Sequence, residues 1–400
     1  MAETKQKILI VHNYYQIPGG EDTVVANEKK LLEEHGHQVV LYTRHNSELK
    51  SFSKIQKLLL PISTIFSMKT YREVKALIKR EKIDMVHVHN TLNLVSPSVY
   101  YAAFQCKVPV VQTIHNFRLL CPGATFYRDG HICEDCSSKG LGCAVKHSCY
   151  RGSKLQTLAC VISTGLHRLL GTYGKLNYIC LTEFNKNKLL QLKQVKEEKI
   201  YVKPNFVKAA KEIMPYVARK EQFIYAGRLD ALKGVDVLLK AWELYESQQE
   251  KLIICGTGPM ESWCREFVAK KQLKNVELRG FVENKIVKQM IGESKALILP
   301  TQWYEGFPMT IVESYSVGTP VIASDLGNAG SLVEEGKGGL KFQADSPKSL
   351  CEALKKAKRT FRGMDESVIN RYSEENNYEQ LRNIYEACSD HHQHTGAVSC

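Results

Sequence analysis

The chain has 400 residues, of which 44% are hydrophobic and 24% charged, and its formal net charge is +13. This length predicts two or three domains with sizeable cores, and no run of about 18 apolar residues is present, which excludes a membrane-spanning helix. The first residues lead into a strand without a secretory signal, so the thirteen cysteines are expected to be reduced thiols in a cytoplasm.

The positive charge is concentrated in the first half. Residues 1–200 hold 28 Lys and Arg against 16 Asp and Glu, a net +12, whereas residues 201–400 hold a net +1. This asymmetry indicates an anionic partner, such as a membrane surface, a nucleic acid or an acidic acceptor. Residues 50–82 mix basic and apolar side chains, with a break expected at Pro61. They fit either a segment lying on an anionic bilayer or a packed helix pair with a solvated basic face.

The first half alternates short apolar strands with helices. Strands are predicted at 7–12, 39–43, 85–89, 108–115, 178–182 and 200–203, with a helix over 21–35. Such alternation favours right-handed βαβ units and a parallel sheet. The polar stretch 204–222 is expected to link this series to a second one that starts at Phe223.

The second series places polar groups at successive strand ends. Gly227 and Arg228 follow the strand that starts at Phe223, and Lys233 precedes the next helix. Arg and Lys at a strand-to-helix turn suit a diphosphate, since a bidentate guanidinium and a point-charge ammonium neutralise its oxygens. Further strands, together with the turns that end them, are predicted within residues 252–259, 276–282 and 296–300. Surface charge is the other interpretation of Arg228 and Lys233.

The segment Glu305–Glu313 carries two carboxylates eight positions apart. Gly306, Phe307 and Pro308 predict a tight loop that leads into a helix, with Pro308 suited to its first turn. The backbone N–H groups of such a loop and helix start suit a phosphate or a sugar hydroxyl. An ordinary amphipathic helix with two solvated acids is the alternative.

Together these motifs resemble the retaining glycosyltransferases of family 4, which have the two-Rossmann GT-B fold. The likeness covers most of the chain, and Glu-x7-Glu is its most specific part. It implies an α/β protein with two doubly wound domains facing a central cleft. The cysteine spacing, with Gly, Asp and Lys around it, separately predicts a Cys-rich loop insertion in the first domain. The expected limits are 1–205 for the acceptor domain with the insertion at 121–149, 206–375 for the donor domain, and 376–400 for a helix crossing back, with a tail.

The resemblance also implies roles for individual residues. Catalytic roles fall to His115, Glu305, Arg228 and Lys233, although a buried structural histidine is the other interpretation of His115. The donor-binding set is Gly19, Gly20, Arg228, Lys233, Gly256, Phe281, Val282, Glu305, Gly306, Phe307, Pro308 and Glu313. Acceptor contacts are assigned to Tyr14, Tyr15, Glu21 and Asp22, which lie near the glycine loop.

Five cysteines fall between residues 121 and 149. Cys133 and Cys136 have the spacing of a metal knuckle, and four thiolates bind zinc tetrahedrally. The predicted ligands of a structural zinc are Cys133, Cys136, Cys143 and Cys149, with Cys121 as a substitute. A loop with unligated cysteines is the alternative.

The expected activity is metal-independent transfer of a sugar from a nucleotide diphosphate sugar to an acceptor hydroxyl, with retention. The main catalytic effect in this reaction is stabilisation of the leaving diphosphate by Arg228 and Lys233. The basic first half favours a lipid-linked saccharide acceptor in bacterial capsule, exopolysaccharide or cell-wall glycan synthesis, and a peripheral location at the inner face of the plasma membrane. A GT-B epimerase, a phosphorylase, or a basic zinc-knuckle protein that binds nucleic acid are the rivals. No lysine motif for pyridoxal is visible, and the aromatic residues do not alternate with basic ones as a nucleic-acid platform requires.

Overall fold

The computed structural model describes residues 5–16, 19–247 and 249–396, with side chains up to Asp390. The chain divides into two compact units: unit 1 is Met1–Pro204 with Tyr378–Cys400, and unit 2 is Asn205–Asn377. Residues 1–4 and 397–400, at the outer ends of the predicted domains, lie outside the described part.

Unit 1 is built on a six-stranded parallel sheet in the order β2-β1-β3-β4-β7-β8. Strands β3 and β4 are buried along their whole length, because helices cover both faces of such a sheet. A separate antiparallel hairpin, β5 with β6, follows β4. The strands are β1 Lys7–Tyr14, β2 Gln38–His45, β3 Met85–Val88, β4 Val110–Ile114, β5 Tyr127–Arg128, β6 His131–Ile132, β7 Asn177–Cys180 and β8 Ile200–Val202.

The helices of unit 1 include a pair whose break differs from the prediction. They are α1 Gly20–Glu34, α2 Lys54–Ile65, α3 Met68–Glu81, α4 Ser98–Gln105, α5 Asp135–Ser138, α6 Gly142–Lys146, α7 Lys154–Leu169 and α8 Glu183–Leu189. The prediction that residues 50–82 are not one long helix is confirmed, but the break expected at Pro61 is wrong, because α2 runs through this proline. The chain instead turns extended at Phe66, and the Ser67 hydroxyl caps α3 by accepting from the N–H of Thr70.

Unit 2 repeats the architecture, with parallel strands in the order β11-β10-β9-β12-β13-β14. Its strands are β9 Lys220–Ala226, β10 Lys251–Cys255, β11 Val276–Gly280, β12 Ser294–Leu299, β13 Val321–Ser324 and β14 Gly339–Phe342. Its helices are α9 Val235–Tyr245, α10 Glu261–Lys270, α11 Asn284–Gly292, α12 Met309–Ser316, α13 Gly327–Leu332, α14 Pro347–Thr360 and α15 Glu366–Arg371. Each face of this sheet carries a buried core, one of which contains Trp242 and the other Tyr315. The predicted α/β class with two Rossmann-like parallel sheets is confirmed.

The last helix, α16 Glu374–Gly396, belongs to unit 1 from Tyr378 onward. The Tyr378 hydroxyl lies 3.0 Å from His37 Nε2, and the Tyr385 hydroxyl lies 2.8 Å from His87 Nδ1. Among the described residues, no helix is long and apolar enough to cross a membrane.

Candidate active site

A cavity of about 660 Å³ opens at the carboxyl ends of the unit 2 strands. The Arg228 side chain, which follows β9, is 66% exposed, and its Nε lies 3.3 Å from Asp230. Because the carboxyl ends of parallel strands are the usual ligand position in open α/β sheets, this cavity is the candidate donor site. Its lining includes Gly227, Arg228, Gly256, Thr257, Gly258, Phe281, Val282, Asn284 and Glu313.

Two glycines let the loops around this cavity approach one another. Gly256 has φ +144°, and a Cβ there would lie 1.9 Å from the carbonyl oxygen of Gly227. Gly234 has φ +68°, and a Cβ there would lie 1.8 Å from the carbonyl oxygen of Pro300. Any side chain would therefore separate these backbones, so the loop that carries Arg228 and Lys233 depends on both glycines.

Lys233 and Glu305 form an ion pair away from the cavity lining. Lys233 Nζ lies 2.8 Å from both carboxylate oxygens of Glu305, a residue only 6% exposed. The ammonium is also 5.8 Å from the ring centroid of Trp303, whose buried Nε1 has no hydrogen-bond partner within the described residues. The structure thus brings Arg228 and Glu313 to one cavity and joins Lys233 to Glu305.

The Glu-x7-Glu segment forms the predicted loop and helix, with one difference. Helix α12 begins at Met309, one residue later than predicted, and Pro308 is the extended residue before it. The Asn328 side chain fixes the loop by donating to the carbonyl oxygen of Gly306 at 2.8 Å. Glu313 accepts a hydrogen bond from Asn284 at 3.3 Å.

Unit 1 contains a buried ionic network close to His115. Glu28 on α1 pairs with Lys203 at 2.8 Å, and both side chains are about 1% exposed. The second oxygen of Glu28, Oε2, lies 3.4 Å from His89 Nε2. His89 Nδ1 in turn lies 2.9 Å from His115 Nε2. His89 and His115 follow the adjacent strands β3 and β4, so the parallel pairing brings the two rings together.

Burial determines the protonation of this network. It lowers the pKa of His115 to about 3 and that of His87 to about 4, and it holds the pKa of His89 well below its ordinary value. Burial alone would raise the pKa of Glu28, but the adjacent Lys203 ammonium outweighs it and lowers this pKa. At neutral pH the carboxylate is therefore charged and the three imidazoles are neutral.

His115 also lines a cavity of about 70 Å³ in unit 1. The walls include Asn116 and Arg118 after β4, Thr64 of α2, and Cys160, Ser163 and Thr164 of α7. The inner faces of α2 and α7 thus enclose the space next to His115. This cavity is smaller than a small-molecule pocket, and it lies beside His115 on the predicted acceptor side of unit 1.

Near the glycine loop, Gly19 and Asp22 cap helix α1, whereas Glu21 has one carboxylate oxygen without a hydrogen-bond partner among the described residues. Gly19 is the N-cap of α1, and its N–H donates to Asp22 Oδ2 at 3.0 Å. Asp22 Oδ1 lies 2.8 Å from His12, so both oxygens of this predicted acceptor contact are engaged. Glu21 accepts from the Tyr15 hydroxyl at 2.8 Å, while its other oxygen is buried without a partner among the described residues. Burial raises the pKa of Glu21 to about 7.

The cysteine segment does not form a compact ligand set. It holds the β5–β6 hairpin, α5 and α6, and its cysteines are free thiols. Burial, with smaller contributions from Cys121, Cys149 and Cys143, raises the pKa of Cys136 to about 12. Across the described residues, no three sulfur atoms lie within 4.8 Å of one another. Ligands about 2.3 Å from one zinc ion lie closer together than this, so the structure does not show the predicted zinc ligands, and the zinc site stays a prediction.

Several supporting residues were not predicted from the sequence. They are Glu28, His89 and Lys203 in unit 1, and Asp230, Asn284, Trp303 and Asn328 in unit 2. His89 could have been found from its spacing from His87, because alternate residues of a strand point to the same face of the sheet. Glu28 and Lys203 are 175 positions apart, so no local pattern joins them.

Two family models match the chain. "Glycosyltransferase Family 4" matches residues 18–131, and "Glycosyl transferases group 1" matches residues 208–364. Among curated proteins, a putative colanic acid biosynthesis glycosyltransferase, WcaL of Salmonella typhimurium, is 30% identical over 161 residues, 38% of this chain and 40% of that protein.

Solved structures share the fold over nearly the whole chain. A glycosyltransferase from Rickettsia africae has a TM-score of 0.67 at 17% identity, with 96% of this chain and 98% of that chain covered. Anabaena HepE in complex with UDP-glucose has a TM-score of 0.61 at 17% identity, with coverage of 96% and 100%. The two family matches and the paired Rossmann-like sheets show that this chain belongs to glycosyltransferase family 4 and is a glycosyltransferase with the GT-B fold.

Proposed function

We propose that this glycosyltransferase moves a sugar from a nucleotide diphosphate sugar to an acceptor hydroxyl, with retention of anomeric configuration. The observation that carries the donor assignment is the strand-end cavity of unit 2, where Arg228, the Gly256 backbone and Glu313 meet. A guanidinium suits the diphosphate, a carboxylate suits ribose hydroxyls, and a glycine lets phosphate approach the backbone. The UDP-glucose complex of the Anabaena neighbour supports a uridine nucleotide as the first candidate.

The residues of unit 2 take the following roles in this proposal. Arg228 and Lys233 stabilise the negative charge that develops on the leaving diphosphate, so no catalytic metal is required. Glu305, with Gly306, Phe307 and Pro308, holds the hydroxyls of the donor sugar, and the unpaired indole N–H of Trp303 is an additional donor for them. The Phe281 side chain is 79% exposed, and its backbone and that of Val282 flank the base.

Retention follows from a front-face reaction in this assignment. The bond between the anomeric carbon and the diphosphate oxygen breaks, and the acceptor oxygen bonds to the same face. The leaving phosphate takes the acceptor proton. Positioning by the residues above lowers the barrier, and no protein nucleophile is needed.

The donor assignment is tested by thermal unfolding in EDTA with a panel of nucleoside diphosphates and nucleotide sugars. A ligand at 100 times its Kd should add about 2.7 kcal/mol of stability. Stabilisation by one nucleotide in EDTA identifies the base and supports metal independence. NMR of the glycoside formed from the stabilising sugar nucleotide then reads the anomeric configuration. Failure of the whole panel to stabilise the protein would contradict the donor site.

We further propose that the acceptor is a lipid-linked saccharide of a bacterial surface polysaccharide, used at an anionic membrane surface. The colanic acid assignment of WcaL supports the polysaccharide class. The membrane surface is formed by α2 and α7, which pack together: Ser163 of α7 donates to the carbonyl oxygen of Thr64. Their outer faces expose Ile55, Leu58, Leu59, Ile62, Leu155, Leu158, Ile162, Leu166 and Leu169.

The charge on this α2–α7 surface favours an anionic bilayer over a protein partner. Neither helix contains an Asp or Glu. Lys54, Lys57, Arg151 and Lys154 are exposed around the apolar side chains. Large apolar side chains framed by basic ones match the headgroup boundary of an anionic membrane. Since the inner faces of the same helices wall the His115 cavity, a saccharide on a membrane lipid would enter unit 1 at this surface.

Co-sedimentation with vesicles tests the membrane surface directly. The protein should pellet with phosphatidylglycerol-containing vesicles and remain in solution with phosphatidylcholine alone. Leu58→Glu with Leu169→Glu should abolish pelleting. The matched control replaces two exposed apolar residues of unit 2, as Val217→Glu with Leu244→Glu, and should pellet like the parent. Equal loss in both variants, or no pelleting of the parent, would refute the α2–α7 assignment.

A further inference from the structure

The ring of His115 is linked through a second histidine to the buried ion pair of unit 1. Lys203 Nζ lies 2.8 Å from Glu28 Oε1, and Glu28 Oε2 lies 3.4 Å from His89 Nε2. His89 Nδ1 then lies 2.9 Å from His115 Nε2. His89 is 4% exposed and Glu28 is 1% exposed, so water does not compete for these groups.

The position of each proton follows from the chemistry of the partners. Glu28 Oε2 and His89 Nε2 are 3.4 Å apart and do not form a hydrogen bond among the described residues. A lone pair on Nε2 would face the ionised carboxylate, so the charge of Glu28 places the proton of the neutral His89 on Nε2. A neutral imidazole has one N–H, which leaves a lone pair on His89 Nδ1. The contact of 2.9 Å between two ring nitrogens needs one proton, and His115 Nε2 must supply it. His115 Nδ1 therefore keeps its lone pair.

Glu28, His87 and His89 lie close enough together to suggest a metal site, but the groups that they contact argue against one. One donor atom each of Glu28, His87 and His89 lies within 4.8 Å of the others. However, His87 Nδ1 contacts the Tyr385 hydroxyl and His87 Nε2 contacts the Thr113 hydroxyl at 2.7 Å. The ammonium of Lys203 already balances the Glu28 carboxylate. A dication would face this positive charge and an imidazole with both nitrogens engaged.

We propose that Glu28 and His89 are positioning residues that fix His115 as the Nε2–H tautomer, with the lone pair of Nδ1 available to a ligand. Among the described residues His115 Nδ1 has no hydrogen-bond partner, and the ring lines the 70 Å³ cavity. His115 consequently acts toward a ligand as a hydrogen-bond acceptor. Identification of that ligand as a saccharide hydroxyl rests on the proposed function, whereas the tautomer does not.

Long-range ¹H–¹⁵N NMR of protein labelled at histidine tests the tautomer without substrate. In the parent, His115 should show a protonated Nε2 and an unprotonated Nδ1 at pH 7, with its signals assigned by the loss of one set in His115→Gln. In His89→Leu the acceptor for Nε2–H is lost, and the His115 pattern should change to a mixture of tautomers. In His89→Asn the amide oxygen replaces the acceptor Nδ1, and the parental pattern should return. Both variants leave the Glu28–Lys203 pair in place.

The outcomes separate the tautomer from the reaction. A protonated Nδ1 in the parent, or an unchanged His115 pattern in His89→Leu, would overturn the inference. If His89→Leu does not fold, the parental spectrum and His89→Asn still decide it. Transfer activity is measured separately on the same samples, so a correct tautomer in a protein without transferase activity would count against the proposed function alone.

Discussion

The polar residues of the two units are held in opposite ways. In unit 1, Glu28 and Lys203 are buried and form an ion pair with each other, whereas in unit 2 the side chain of Arg228 is 66% exposed beside an open cavity. A buried charge needs a partner inside the protein, because removal of either member leaves the other uncompensated. A cation at an open cavity, such as Arg228 with its surface partner Asp230, is accessible to a ligand. Substitutions in unit 1 should therefore change stability first, and those around the unit 2 cavity should change binding first.

The largest expected effect is from Lys203→Met. It leaves the Glu28 carboxylate buried without its counter-ion and should lower the free energy of unfolding by about 3–5 kcal/mol. Urea unfolding measures this loss. Lys240→Met, which removes an exposed pair with Asp236, is the control and should change stability by less than about 0.5 kcal/mol. Equal stabilities of the two variants would break the contrast between the units.

Lys233→Ala should show an intermediate effect on stability and the loss of sugar transfer. The Glu305 carboxylate is 6% exposed and would lose the ammonium that contacts both its oxygens, at a cost of about 1–3 kcal/mol. The double variant Lys233→Ala, Glu305→Gln removes the orphaned charge and should recover much of that stability without recovering transfer. Full transfer activity in Lys233→Ala would refute its role at the diphosphate.

Arg228→Met should change the free energy of unfolding by less than about 0.5 kcal/mol, since its side chain is mostly exposed. It should nevertheless lose most of the 2.7 kcal/mol of stabilisation that a saturating nucleoside diphosphate gives. Thermal unfolding with and without the nucleotide measures both quantities. Arg279→Met, another exposed arginine of unit 2, is the control and should keep the ligand effect.

The last prediction concerns the pH dependence of stability at Glu21. Its pKa is about 7 in the folded protein against an ordinary value of 4.5, so the folded state binds more protons between these values. The free energy of unfolding contributed by this group should therefore fall as the pH rises from 4.5 to 7. Glu21→Gln should flatten that part of the stability profile, as measured by urea unfolding at several pH values. A parallel profile for parent and variant would contradict the raised pKa.

Much of the fold was predictable because its signals are local. Largely apolar runs predicted the strands that begin at Lys7 and Met85 correctly, since strands buried on both faces are rich in apolar residues. The break at Pro61 was predicted wrongly. Proline removes only one N–H, and packing of α2 against α7 keeps the helix continuous through it. Tertiary packing of this kind is not visible in a local pattern.

The candidate site was predictable where one segment holds several of its residues. The Glu305–Glu313 loop and helix, and the glycines that follow β9 and β10, carry short motifs with a backbone reason for each residue. The buried pair of Glu28 and Lys203 has no such motif, because its members come from α1 and from the chain after β8. Contacts of that range are formed only by the fold.

Helix α16 has a consequence for the order in which the chain matures during synthesis. The hydroxyls of Tyr378 and Tyr385 complete the hydrogen bonds of His37 and His87 in unit 1. A ribosome makes all of unit 2 before it makes these two tyrosines. Unit 2 is contiguous in sequence and contains its own two cores. All the residues of these cores are therefore synthesised while unit 1 still lacks part of its interior. Unit 1 is therefore completed only after unit 2 has been synthesised, and a chain stopped before Tyr385 would leave His87 without this hydroxyl.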